Sequence, residues 1–333
     1  MTILSAIFIF IICFALMTIF SFILGGSLVK LKTRLRVSGA LLGMIAALGA
    51  DTPEISSAVT ALLIGQHDVG VGIIIGSSIF NIAALLGLSA LVVGSMPLSR
   101  QGIIVNGMTS IIVILVLILL IYRFISPLVS LMLFLFLLVP YVIISEIKPN
   151  QMKQWNLPEK IRVFLSKAVV DTRNTSKELK MNLSKSWSWL WLGGLAVIVI
   201  IITSIGMVHS AVFLSSAWGV KRSIVGILIL ASLTSIPNVI TSIRLALDNK
   251  GMSVMSESLN SNTINILFGI CVPAIIFGLN TLSKQTFCSV WWLIGITVLA
   301  MFLLYLKKGF NRMIGAIVVG LYLVFAVFII VCK

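Results

Sequence analysis

Hydrophobic residues in this chain gather into runs of about 20, the length an α-helix needs to cross the hydrocarbon of a bilayer. The runs lie at 3–25, 38–66, 69–95, 101–122, 126–147, 187–207, 222–249, 252–279, 286–306 and 310–332. They predict an all-α membrane protein of ten transmembrane helices. Two runs are interrupted alike, by ALGADTPEISS at 47–57 and ASLTSIPNVIT at 231–241. In the run after each stands a Ser/Asn cluster, GSSIFN at 76–81 and NSNTIN at 260–265. Pro53 to Asn81 spans 28 positions and so does Pro237 to Asn265, so one offset of 184 superposes both motifs. The same offset carries the first five runs onto the last five. This predicts an internal duplication, with five-helix halves at 1–147 and 187–333 and a connector at 148–186. Because five is odd, the second half enters the membrane from the opposite side, an inverted repeat of the kind that places a transport site at the repeat interface.

Charge adds orientation to this picture. Of 333 residues, 59% are hydrophobic and 10% charged, yet the net charge is +15. Lys30, Lys32, Arg34 and Arg36 follow the first run, and nine bases lie between Lys148 and Lys185. Arg100, Arg244, Lys250, Lys307, Lys308 and Arg312 fall on the same side, which makes 19 of the 24 Lys and Arg. By the positive-inside rule that side is cytoplasmic and both termini face outward. The basic excess therefore reads as topology, with the lipid bilayer and its anionic headgroups as partner and no nucleic acid. The connector carries a short amphipathic stretch, PEKIRVFLSKAV, suited to the membrane surface. The first run lacks the basic start of a signal peptide and is expected to remain as a span. Cys13, Cys271, Cys288 and Cys332 have no metal or disulfide spacing and read as apolar fillers. No cofactor and no obligate protein partner is implied.

The chemistry concentrates at the interruptions. An ionised side chain at the bilayer centre costs about 2.5–3.5 kcal/mol on insertion scales, so Asp51 and Glu54 in mid-span call for a function. Spaced i and i+3, they share one helical face, and their mutual repulsion is relieved by a bound cation. Pro53 and Pro237 are expected to free the carbonyls of Gly49 and Leu233. With the hydroxyls and amides of Ser77, Ser78, Asn81, Ser261, Asn262 and Asn265, these oxygens suit a hard cation such as Na⁺ or Ca²⁺. An intramembrane hydrolase is disfavoured, because the two acids share one helix and no Ser/His or HExxH set accompanies them. Glu257 aligns with Ile73, outside the ligand pattern, and reads as a water-facing or proton-access group. His67, Asp68 and His209 read as solvated turn residues.

These motifs make the chain resemble the sodium/calcium exchanger family of cation/calcium antiporters. Its repeats read approximately ALGTSLPE followed by GSNxxN, in a ten-helix inverted-repeat fold. The resemblance implies that Glu54 is the ion-binding acid of the first half, joined by Ser77, Asn81 and the carbonyl of Ala47. In the second half the matching positions are Ala231, Thr234, Ser235, Ser261 and Asn265. Three departures stand out. Asn238 replaces the second glutamate, Asn265 occupies a position often acidic, and Asp51 replaces a serine, preceded by Ala50 in place of a threonine. Two acids remain, but both lie in the first half. The implied activity is secondary antiport of Ca²⁺ against Na⁺ or H⁺, not enzymatic, in a membrane expected to be the prokaryotic plasma membrane. Exchange of another divalent cation and a non-transporting scaffold role are the alternatives.

Overall fold

The computed structural model describes residues 1–35, 48–146 and 188–331. Ala47, the connector 148–186 and Cys332 lie outside the described residues. The chain folds almost entirely into helices: α1 (Ile3–Leu35), α2 (Thr52–Leu63), α3 (His67–Val93), α4 (Arg100–Ile121), α5 (Pro127–Glu146), α6 (Ser188–Ala217), α7 (Arg222–Thr234), α8 (Ile236–Leu247), α9 (Gly251–Phe277), α10 (Lys284–Lys307) and α11 (Arg312–Val331). Among the described residues seven helices are long and apolar enough to cross a membrane, and α7 with α8, bent by 45°, makes an eighth. Of the other two expected spans, α2 is the described part of 38–66, and α5 lies over 126–147.

Both interruptions break the helix where the sequence places them. Asp51 adopts φ −85°, ψ −1° and Ser235 φ −83°, ψ −3°, each just before a helix with proline in its first turn. Proline is tolerated there because the first N–H groups of a helix have no intrahelical partner. Further on, α3 and α9 open into π-helical turns immediately beyond their Asn-bearing segments, at Ile82–Leu88 and Leu267–Cys271. Such wide turns commonly accompany functional sites.

Burial sorts the helices into a centre and a rim. The apolar stretch of α3 is 94% buried, whereas that of α1 is 17% buried. On α1, Phe8, Ile11 and Ile12 are exposed, as are Ile198 and Ile202 on α6 and Leu323 and Val327 on α11. Surfaces this apolar belong against lipid. At the centre, α3 crosses α7 backbone to backbone: a side chain at Gly76 would collide with the Ile227 carbonyl, and one at Gly226 with that of Val69. Small residues permit this approach in a membrane interior. Helices α1 and α6 run antiparallel along each other, since a side chain at Gly206 would strike Cys13 and one at Gly193 would press on Ser27. A two-residue antiparallel pairing, β1 (Met96–Pro97) with β2 (Gly309–Phe310), ties the ends of α3 and α10.

Two expectations for polar residues are corrected. His209 lies inside α6, which runs ten residues beyond the apolar stretch expected to end at 207. Its neighbours Val208 and Ser210 are buried, so the helix carries His209 outward without a loop. His67 and Asp68 begin α3 rather than a solvated turn. His67 is buried, and Asp68 Oδ1 accepts from the Ser283 N–H at 2.7 Å and the Thr286 hydroxyl at 3.0 Å. The carboxylate thereby holds the cap residue Ser283 and the first turn of α10 in place.

Candidate functional site

The two broken helices bring their breaks together at the centre. Asp51 occupies the first break and Glu54 the first turn of α2, where the helix N-terminus favours negative charge. Asn238 occupies the first turn of α8. Its amide nitrogen donates to both carboxylates, to Asp51 Oδ1 at 2.8 Å and Glu54 Oε1 at 3.0 Å. From α9, the Ser261 hydroxyl donates to the same Asp51 oxygen at 2.5 Å and accepts from the Asn81 amide at 3.1 Å. Four helical segments thus meet on one carboxylate pair. Asp51, Glu54, Asn81, Asn238, Ser261 and Asn265 are all buried, none more than 1% exposed.

Much of this polar capacity has no protein partner. Asp51 Oδ2, Glu54 Oε2, Asn81 Oδ1, Asn238 Oδ1 and Asn265 Oδ1 are buried and unbonded. The Ser235 hydroxyl sits beside Glu54 without completing a hydrogen bond. Buried polar atoms normally find partners, and each exception asks for an explanation. Two carboxylates with a surround of amide and hydroxyl oxygens form a donor set for a hard cation.

The remaining expected ligands are less engaged. Ser77 lies on α3 but its hydroxyl donates back to the Ile74 carbonyl at 3.0 Å. Thr234 likewise donates to the Leu230 and Ala231 carbonyls, at 2.9 and 3.2 Å. The Ala231 carbonyl, expected as a free oxygen, also accepts from the Ser235 N–H at 3.3 Å. Donating a hydroxyl hydrogen, or accepting one hydrogen bond at a carbonyl, still leaves each of these oxygens a lone pair for a cation. Ser78 and Asn262, named in the sequence as extra oxygens, join α3 to α9 instead: the Asn262 amide donates to the Ser78 carbonyl at 3.1 Å.

One group gains importance. Glu257 stands one turn before Ser261 on α9 and two turns before Asn265, so the three share a face. Its Oε2 is buried and without a partner, and the charge acting on it is that of Asp51. The repeat pattern could not find it, because its counterpart Ile73 is apolar. An acid in the interior of an otherwise uncharged span was the available signal.

A helical membrane bundle with broken helices meeting at buried carboxylates defines the class: an integral membrane protein built as ion-exchanging transporters are. The model of the family "Sodium/calcium exchanger protein" matches residues 5–147 and 187–331, and the chain belongs to that family. Over 117 residues it is 32% identical to sodium/potassium/calcium exchanger 2 of Gallus gallus and 34% to exchanger 1 of Mus musculus. Each alignment covers 33% of this chain, but only 18% and 10% of those relatives. Among solved structures, the H⁺/Ca²⁺ exchanger CAX superposes with a TM-score of 0.69 at 14% identity, covering 98% of this chain and 86% of that one. Native YfkE gives 0.66 at 16% identity, covering 96% and 91%. The sodium-calcium exchanger NCX_Mj gives 0.59 at 20% identity, covering 97% and 98%. At these identities the likeness is one of fold.

Proposed function

We propose that this protein is a secondary active antiporter that exchanges Ca²⁺ for Na⁺ or H⁺ across the membrane by alternating access. The observation that carries the reading is the buried Asp51–Glu54 pair, bridged by Asn238 and edged by unbonded oxygens. The dyad carries two negative charges, which one divalent ion or two monovalent ions neutralise. Such compensation matters in a low-dielectric interior, where an unpaired charge is costly. Asn81, Ser235, Ser261 and Asn265 would complete the oxygen shell, together with Ser77, Thr234 and the carbonyls of Ala231 and Ala47.

The transporter reading also supplies an architecture: ten transmembrane helices in two inverted halves, 1–147 and 187–333, with the connector and both basic helix ends cytoplasmic and the termini outside. The matching backbone angles at Asp51 and Ser235 support the duplication. So do the hydrogen bonds joining residues 184 positions apart, Glu54 with Asn238 and Ser78 with Asn262. Helices α1 and α6, paired with each other at the rim, are the moving elements, and the core of α2, α3, α7, α8 and α9 holds the ion.

The test is flux into proteoliposomes, with Ca²⁺, Mn²⁺ and Mg²⁺ each offered against imposed Na⁺ and H⁺ gradients. Ca²⁺ uptake driven by one of the two gradients is expected. Uptake of Mn²⁺ or Mg²⁺ alone would reassign the divalent ion, and silence in every arm would leave the scaffold role.

A further inference from the structure

We infer that Glu257 forms a second cation position beside the Asp51–Glu54 dyad, one that takes a monovalent metal cation, Na⁺. This rests on the antiporter reading and deepens it. Departures at 238 and 265 leave the second half without an acid at the expected positions, yet α9 contributes one from a different place. Glu257, Ser261 and Asn265 recur every four residues and so line one face of the helix. Ser261 fixes that face against Asp51 by its hydrogen bond, which sets Glu257 one turn nearer the end of α9 that carries Lys250.

Three observations point to a ligand rather than to packing. Glu257 Oε2 is buried without a hydrogen bond, and so is Oδ2 of the fully buried Asp51. The charged neighbour of Glu257 is Asp51, itself an acid, which offers it no compensation. The ammonium of Lys250, at that same end of α9, pairs with Asp248 at 3.3 Å. A carboxylate in this setting needs a counter-charge.

That counter-charge is a separate ion. Among the described residues no three acidic, His or Cys side chains converge closely enough to hold one metal together. Glu257 is therefore a neighbour of the dyad, not a third ligand on its ion. With the dyad neutralised by a divalent ion, one negative charge is left at Glu257, and a single monovalent cation balances it. The oxygen donors present, carboxylate and serine hydroxyl, suit a hard ion such as Na⁺.

The experiment uses the full-length protein purified in detergent, with ionic strength held constant by N-methyl-D-glucamine chloride. Thermal unfolding is followed while Na⁺ or Ca²⁺ is titrated, for wild type and Glu257→Gln. The variant is expected to need about tenfold more Na⁺ for half-maximal stabilisation, with its Ca²⁺ midpoint moved less than about threefold. In buffer without Na⁺ or Ca²⁺ it should melt above wild type, since an uncompensated charge has been removed. Superposable Na⁺ curves for the two proteins would overturn the proposal while leaving the antiporter reading intact. A wild type stabilised by neither ion would remove both. Should Glu257→Gln not fold, Glu257→Asp carries the test: a Na⁺ midpoint indifferent to the shortened side chain also overturns it.

Discussion

Asn238 follows Glu54 by 184 positions, and its amide donates to the Glu54 carboxylate at 3.0 Å while also holding Asp51 at 2.8 Å. The residue that replaces the second acid thus binds the first one. An amide N–H₂ has two donors and can bridge two carboxylates much as a cation does, but it adds no charge. When an ion binds, the same side chain can turn its free Oδ1 inward as a ligand.

The bridge predicts the behaviour of Asn238→Leu. Without the donor, Glu54 loses its Asn238 bond and Asp51 keeps only Ser261, and each lost partner costs about 1–3 kcal/mol. The ion-free protein should melt at clearly lower temperature, and saturating Ca²⁺ should recover much of the loss. A variant with wild-type melting in chelator would show that the bridge contributes little.

Glu54→Gln should leave the fold intact and abolish exchange. The amide keeps the volume but removes half the dyad's charge, and loss of flux by about 100-fold or more corresponds to about 2.8 kcal/mol. Proteoliposome flux reads it, with monodispersity on gel filtration as the folding control. Exchange at the wild-type rate would remove the site from its place in the mechanism.

Helix α1 touches the core where the Ser57 hydroxyl points at Met17 Sδ, 3.9 Å away. Cysteines at these two positions, in a background freed of the four native ones, should crosslink α1 to α2. If α1 must slide for access to alternate, oxidation should stop turnover and reduction restore it. Undiminished flux in the crosslinked protein would assign the gating motion elsewhere.

Net charge movement follows from the acids. Asp51 and Glu54 accept one divalent or two monovalent ions, and a Na⁺ held at Glu257 on both legs of the cycle cancels. Exchange is therefore expected to be nearly electroneutral. Flux against a clamped membrane potential checks this, and a steep voltage dependence would contradict the charge count.

Asp68 supplies a contrast, because its role is structural. Removing the acceptor for Ser283 and Thr286 in Asp68→Ala should cost about 1–2 kcal/mol, in the range of a lost helix cap. Cation titration midpoints should stay unchanged, as the residue lies nearly four helical turns before Asn81 on α3. A shifted Ca²⁺ midpoint would tie Asp68 to ion binding after all.

Seven of the spans and an eighth bent one, the breaks before Pro53 and Pro237, and the Ser/Asn clusters at one common offset were legible in the sequence. Each rests on a local property: the length of an apolar run, the missing N–H of proline, the rarity of acids in mid-span. These act over a few residues and need no partner. What the amide of Asn238 bonds, where Ser261 points and what surrounds Glu257 Oε2 depend on residues some 180 to 210 positions away, brought together by helix packing. Hydropathy could not separate His209 in a helix from His209 in a loop, because one polar residue on an exposed face interrupts an apolar run without interrupting its hydrogen bonds. Asp68 looked like a solvated turn for a similar reason: the Ser283 N–H and Thr286 hydroxyl it serves lie at the start of α10, over 200 residues downstream. Tertiary structure thus decided which polar groups share the interior, since only packing brings distant donors and carboxylates within hydrogen-bonding distance.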